Sequence, residues 1–382
     1  EGTHNYLDDL KIRASWGQTG SATGLGLYPS YTLISTGGLI LNNAYQQIAS
    51  LKTIGNTDLT WEHTDMLNFG LDVKMLNSRL NFTGDYYIKN TKDILLEMPV
   101  PLEYGFGKPN MNIGEVRNKG WELTLSWNDR INDFGYSISG NLSDNRNEVI
   151  DLGDTGPWKG SDTYTAVGLP YNSIYGYESM GLFQSDEEVA NAPFQNSNTA
   201  AGDIRYKNQN GDDKIDANDR VVIGDPNPHF LYGVNLGFDY KNFDLNMFFQ
   251  GIGQKDRIIM DNFVRPFYDS SIFEHHLDYW TPENTGAKYP RILNKDDGTH
   301  NYQQSDYWMI NAGYFRMKNL QIGYTIPREI LRPAGFDRVC IYFSANNLFT
   351  VSDFVPGMDP ESDKSVSYPF ARTYSFGLNV QF

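Results

Sequence analysis

Long hydrophobic runs are missing from this chain: no stretch approaches the roughly 18 consecutive apolar residues of a membrane-spanning helix. Helical membrane spans are thereby excluded. Cysteine is almost absent, and Cys340 alone cannot form an internal disulfide. Without a CxxC or Cys/His cluster, neither a structural zinc nor a redox cofactor is expected. Basic residues are outnumbered, 31 Lys and Arg against 47 Asp and Glu, for a net charge of -16. That is the wrong sign for a phosphate-binding groove, so nucleic acid is not an expected partner, and the balance favours neutral or cationic ligands. The six histidines, His4, His63, His229, His275, His276 and His300, are scattered, and none sits in a Ser or Cys nucleophile motif. The segment SMG around Met180 lacks the G-x-S-x-G pattern of a nucleophile elbow. His275 and His276 fall in SIFEHHLDYW, where a short helix would turn consecutive rings to different faces and prevent chelation as an i, i+4 pair. The first residues show no basic region followed by an apolar one, so an export signal either does not exist or lies upstream.

Aromatic residues are abundant, 14% of the chain with 25 Tyr and 22 Phe, and they recur with a period of two. In the C-terminal segment Tyr374, Phe376, Leu378, Val380 and Phe382 alternate with Thr373, Ser375, Gly377, Asn379 and Gln381. Such alternation gives an extended strand one apolar face and one polar face. The same pattern places Val339, Ile341, Phe343 and Ala345 on one face, and Leu320, Ile322, Tyr324 and Ile326 on another. It recurs around Leu10–Trp16, Leu67–Val73, Leu80–Ile88, Trp121–Trp127, Tyr136–Leu142, Tyr232–Tyr240 and Phe243–Phe249. About ten strands can be read.

Their connections alternate in length. Short links follow Met75, Asn128, Tyr240 and Ile326, whereas long polar stretches run over Gln18–Thr60, Thr91–Lys119, Asp144–Asn227, Gln254–Tyr314 and Asn347–Arg372. A soluble sandwich has no reason to place every long loop at one end and needs its apolar faces paired in a core. An outer-membrane barrel has short periplasmic turns, long extracellular loops, an apolar face toward lipid and a polar interior. The predicted fold is therefore all-β, a transmembrane antiparallel β-barrel. Because an unpaired sheet edge is costly in lipid, the expectation is that these strands are part of a larger barrel. A passive porin shares the strand pattern, and an outer-membrane barrel enzyme is the third reading, although no carboxylate pair stands out by spacing.

The phrases LKIRASWGQTG, DPNPHFLYGVNLGFDYKNFDLNMFFQG, DYWMINAGYFRMKNLQIGYTIP and YPFARTYSFGLNVQF, in that order, resemble the C-terminal barrel half of the SusC/RagA family of TonB-dependent outer-membrane transporters. The resemblance spans the chain nearly end to end. It implies that residues 1–382 are the C-terminal part of a barrel of about 22 strands, with the plug domain and early strands outside this chain. It also implies residence in the outer membrane of a Gram-negative bacterium, a SusD-like surface lipoprotein as lid, energy from the TonB complex through the plug, and import of oligosaccharides or peptides. Phe382 is similar to the terminal aromatic by which barrel-assembly machinery recognises its clients.

Two groups of residues are candidates for ligands. NQNGDDKIDAND has calcium-loop spacing, with Asn208, Asn210 and Asp212 at positions one, three and five, the Lys214 carbonyl at seven, Asp216 at nine and Asp219 at twelve. Asp213 replaces the usual glycine and Asp219 the usual bidentate glutamate, and the same composition suits an Asx-rich turn. Among the long-loop aromatics, Trp158, Tyr171, Tyr175, Tyr177, Tyr302, Tyr307 and Trp308 could stack on sugar rings, pack loops against one another, or anchor a partner.

Overall fold

The computed structural model describes residues 6–23, 28–98, 100, 103, 105, 107–260, 263–267, 272–293, 301–355, 357–362 and 370–382. His4 and His300 lie outside them. Ten strands form one antiparallel sheet: β1 (Leu7–Ser21), β2 (Glu62–Met75), β3 (Leu80–Glu97), β4 (Asn110–Ile131), β5 (Phe134–Asp151), β6 (His229–Tyr240), β7 (Phe243–Gln254), β8 (Tyr314–Thr325), β9 (Arg338–Val351) and β10 (Thr373–Gln381). Each strand pairs with the next along the chain, and all ten strands read from the alternation are present.

Register carries the two-faced pattern across neighbouring strands. One row runs Lys11, Asp72, Thr83, Thr124, Asn141, Gly233, Gln250, Arg316, Thr350, polar or glycine on each of the first nine strands. The row beside it, on the opposite face, runs Leu10, Val73, Phe82, Leu125, Gly140, Val234, Phe249, Met317, Phe349. Leu125 is 51% exposed, Ile138 43% and Ile322 44% although all three stand on interior strands. A water-soluble sheet would cover them, whereas a bilayer is the solvent in which such a face costs nothing to expose.

The polar face is held by charge pairs rather than by an apolar core. Arg13 on β1 lies flat across Gly70 on β2, reaching Asp72 (2.8 Å) and Asp85 on β3 (2.9 Å) and so tying three strands together. A Cβ at Gly70 would fall 2.5 Å from the Arg13 guanidinium carbon, so only glycine admits the crossing.

Aromatic rings band the outer face at two heights. At the short-turn end Phe134 stacks on Phe238 (6.1 Å between centroids), Phe243 meets Tyr324 (4.7 Å) and Phe343 meets Phe376 (5.1 Å). Toward the other end Phe249 stacks on Phe315 (5.3 Å), with Tyr232 and Phe349 beside it. From Tyr232 to Tyr240 the strand rises roughly 26 Å at ~3.3 Å per residue. At the usual tilt that is roughly 20 Å across a bilayer, close to the apolar band of an outer-membrane barrel. Phe382 is 83% exposed, its ring against Phe336 (5.3 Å).

Four short connections, 76–79, 132–133, 241–242 and 326–337, lie at one end. The last holds a helical turn, Arg328–Leu331, that closes through Gly335 at φ 75°, a left-handed backbone suited to glycine. The five long connections are shorter than the polar stretches of the sequence because β1, β3, β4, β5 and β9 continue past the alternating segments. Alternation marks contact with lipid, while the backbone ladder continues into water through polar pairs such as Asn118 with Asn147. The first long connection carries an exposed hairpin, Leu33–Leu41 with Ala44–Thr53.

Ile138→Arg, on the apolar face midway between the aromatic bands, is expected to cost about 2–4 kcal/mol of stability, whereas Ser139→Arg beside it faces the polar side and should cost far less. Denaturant titration of the full-length protein folded in phospholipid vesicles measures both. Equal costs would remove the assignment of faces.

Candidate functional site

The described parts of three long connections, 152–228, 255–313 and 352–372, fold together at the end of the sheet opposite the short turns. Locally each is built from small elements. In the first, Thr163–Thr165, Ser173–Tyr177 and Arg220–Gly224 form part of a four-stranded sheet, and Ser179–Leu182 pairs with Ile204–Tyr206. A short helix, Asp186–Ala190, starts where Ser185 Oγ accepts the Glu188 N–H (3.2 Å) and Glu188 accepts the Gln184 N–H (2.8 Å). In the second, Asp256–Ile258 pairs with Met309–Asn311.

These pieces share one apolar core. Ile204 and Tyr206 come from the first connection, Ile259, Phe263, Val264, Tyr302 and Trp308 from the second, and Val355 from the third. Burial pushes the Tyr206 phenol far above its ordinary range and that of Tyr307 up to about 12. Polar fasteners run between the same connections. Asp203, 1% exposed, receives a two-pronged Arg291 (2.7 and 3.0 Å) and the Asn301 amide (2.8 Å).

The third connection is also fastened to the barrel wall. Arg316 on β8, fully buried, donates to Asp359 (2.6 Å), Glu361 (2.8 Å) and Thr350 Oγ1 (2.8 Å), and Lys318 reaches Glu361 at 2.6 Å. Burial works to raise the Asp359 carboxyl, but Arg316 and the Glu361 and Phe370 amides outweigh it and hold the group below the usual carboxylate range. At the root of the first connection His229 is buried between Asp144 (2.7 Å to Nδ1) and Asp225 (3.3 Å to Nε2).

His275 and His276 do not diverge as a helical pair would. In the 3-10 turn Glu274–Leu277 both rings donate through Nε2 to the Phe263 carbonyl, at 2.7 and 2.9 Å. His276 Nδ1 accepts the Phe273 N–H, and burial lowers its pKa. The neutral ring is the form built in. His63 pairs with Asp93 at 2.8 Å.

The candidate aromatics separate by environment. Tyr302 and Trp308 are buried in the shared core, Tyr177 packs on Tyr206 (5.0 Å), and Tyr307 stands edge-on to Trp308 (5.1 Å), half-buried. Tyr175 is buried between Tyr164 (5.2 Å) and the Arg220 guanidinium (4.9 Å). Trp158 is half-buried with its indole donating to Thr155 (3.1 Å), and Tyr171 is 47% exposed. They form no single stacking platform.

A cleft of about 430 Å³ opens between the second and third connections, walled by Tyr289, Tyr307, Trp308, Ile259, Ile310 and Val355. Lys288 and Asp353 stand at it. Sequence reasoning found two of these rings and missed Tyr289, Lys288 and Asp353, which carry no local pattern.

In the calcium-like segment the oxygens are engaged by the loop itself. Asn208 Oδ1 accepts the Gly211 N–H (2.6 Å), Asn210 Oδ1 that of Asp212 (2.9 Å), and Asp212 Oδ1 that of Lys214 (3.0 Å). Asp219 is fully buried and accepts from the Gln209 and Asp216 amides, both at 2.8 Å. Asp216 caps the turn Ala217–Asp219 and pairs with Lys214 (2.6 Å), lowering the Asp216 pKa. Among the described residues no three acidic, histidine or cysteine side chains converge as a cage. A cation here would draw on the Asn208, Asn210 and Asp212 side chains and the Lys214 carbonyl.

Residues 3–348 match the family described as TonB dependent receptor-like, beta-barrel. The chain is 30% identical to the TonB-dependent receptor P3 of Formosa agariphila, over 99% of this chain and 40% of that protein. It is 27% identical to the TonB-dependent receptor SusC of Bacteroides thetaiotaomicron, over 99% of this chain and 38% of that protein. It superposes on a chain of the RagAB peptide importer in the open-open state with a TM-score of 0.82 and 26% identity, covering 99% of this chain and 40% of that one. The chain thus spans about 40% of the length of the relatives it matches. Those relatives are named as receptors and an importer, not as enzymes. With its ten-stranded two-faced sheet and matching sequence, the chain belongs to the TonB-dependent receptor β-barrel family, among relatives of the SusC and RagA kind.

Proposed function

We propose that residues 1–382 form barrel wall and extracellular cap of an active transporter in the outer membrane of a Gram-negative bacterium. It imports oligosaccharides or peptides too large for passive porins. The observation that carries this reading is the pairing of a lipid-suited sheet with long connections folded into a single layer at one end. A passive channel has no need of so large an ordered layer at its mouth. A SusD-like surface lipoprotein is the proposed lid, and the TonB complex the energy source, acting through a plug encoded outside these residues. The likeness to receptors named TonB-dependent supports the TonB complex, and the likeness to the RagAB peptide importer supports peptides as one substrate class.

The layer offers the lid apolar anchors that its own core leaves uncovered: Met180 (55% exposed), Phe194 (62%) and Leu277 (61%). Purified in mild detergent, the full-length transporter should bring down a second polypeptide in fixed ratio. Combined Met180→Asp and Phe194→Asp, or Leu277→Asp, should reduce that recovery severalfold without altering the heat-modifiable mobility of the barrel. A barrel that purifies alone at every detergent strength would put the passive porin ahead.

The 208–219 segment is proposed to hold Ca2+ as a structural ion, with a dissociation constant of about 0.1–1 mM, as in extracellular modules. Calcium should then slow protease cleavage near Gly211 in the natural protein and have no effect in Asp212→Ala. Equal cleavage in calcium and in chelator would leave the segment an ordinary hydrogen-bonded turn.

A further inference from the structure

We infer that the cleft between the second and third connections receives an apolar side chain of a short peptide, rather than a sugar ring. This deepens the transporter reading and rests on it. The decisive feature is that, of the three polar ring groups on the wall, those of Tyr307 and Trp308 are already spent, which leaves the Tyr289 hydroxyl and the two exposed rim charges of Lys288 and Asp353. The Tyr307 hydroxyl donates to the Lys288 carbonyl (2.7 Å) and the Trp308 indole N–H to the Asn301 carbonyl (2.7 Å). The wall backbone is paired as well: the Trp308 carbonyl accepts the Ile259 N–H (2.9 Å), the Tyr289 carbonyl the Trp280 N–H (2.9 Å), and Ile310 lies in a ladder with Arg257.

A sugar ring entering such a space loses the water on its hydroxyls and finds few replacements, and each unpaired hydroxyl is penalised. A leucine or phenylalanine side chain loses nothing of that kind and gains the contact of Ile259, Ile310 and Val355 with the rings of Tyr289 and Trp308 (centroids 6.1 Å apart). The cleft volume of about 430 Å³ accommodates such a side chain and part of its backbone.

Charge at the rim points the same way. Lys288 and Asp353 are both exposed, and neither side-chain charge has a partner among the described residues. One cation and one anion at a single apolar cleft complement the carboxylate and ammonium ends of a short peptide; a neutral glycan carries neither. Elsewhere in this layer the carboxylates and guanidiniums of Asp203, Arg291, Arg316, Asp359 and Glu361 are paired.

The test is calorimetric titration of the full-length transporter with Gly-Leu-Phe-Gly, Gly-Ser-Ser-Gly and maltohexaose. The Leu-Phe peptide should bind at least tenfold more tightly than the Ser-Ser peptide, consistent with burial of one large apolar side chain. Lys288→Glu and Asp353→Lys, both at exposed positions, should each weaken it three- to tenfold. Ile310→Trp, which fills the cleft, should erase the preference while the barrel keeps its heat-modifiable mobility. Equal binding of the two peptides, a preference that survives all three substitutions, or maltohexaose binding that Ile310→Trp abolishes would overturn the assignment. Uptake by cells separates the levels: a Leu-Phe preference in binding without entry of any of the three probes supports the cleft and sinks the transporter.

Discussion

Inside a bilayer no water is available to a backbone amide, so every N–H and C=O must find its partner within the protein. Sequential pairing of ten strands is the direct consequence, the eight interior strands each covered on both edges by their neighbours along the chain. Once the ladder fixes the register, side chains have only two directions. The rows from Leu10 to Phe349 and from Lys11 to Thr350 are neighbours in sequence and face different solvents. Polar contacts on the inward face, such as Arg13 across Gly70 to Asp72 and Asp85, then need no apolar core behind them.

Above the membrane the constraint reverses. Water satisfies the backbone, but each residue fixed in place loses about 1–2 kcal/mol of conformational entropy. The long connections recover this by folding on one another, with Ile204, Trp308 and Val355 meeting from three separate parts of the chain. Asp203, Arg291 and Asn301 then lock two of those parts together at a fully hydrogen-bonded site, the condition under which a buried charge is tolerated.

The ten strands were legible because lipid imposes period two on any segment that crosses it, from Leu10 through Phe382. Where strands leave the lipid the signal stops although the ladder does not, so Lys92 and Asn147 look like loop and are strand. The layer itself was far less legible. Tyr302, buried, and Tyr171, half exposed, belong to the same class of residue, and only contacts across the chain separate them. The two histidines share one carbonyl because the turn is 3-10 and Phe263 lies beneath it, which no local spacing encodes. Arg316 did carry a sign: a large cation at an inward position of YFRMKNL, with acidic residues in MDPESD. What the sequence does not state is that they meet.

That meeting makes the barrel and its outermost layer a single mechanical piece. Arg316 is rooted in a transmembrane strand, while its partners belong to the connection that places Val355 in the core of the layer. Lifting the layer there would part Arg316 from Asp359 and Glu361 and Lys318 from Glu361 at once, each a charge-assisted contact worth about 1.5–3 kcal/mol. Thermal motion alone therefore leaves this part of the rim closed to hinging.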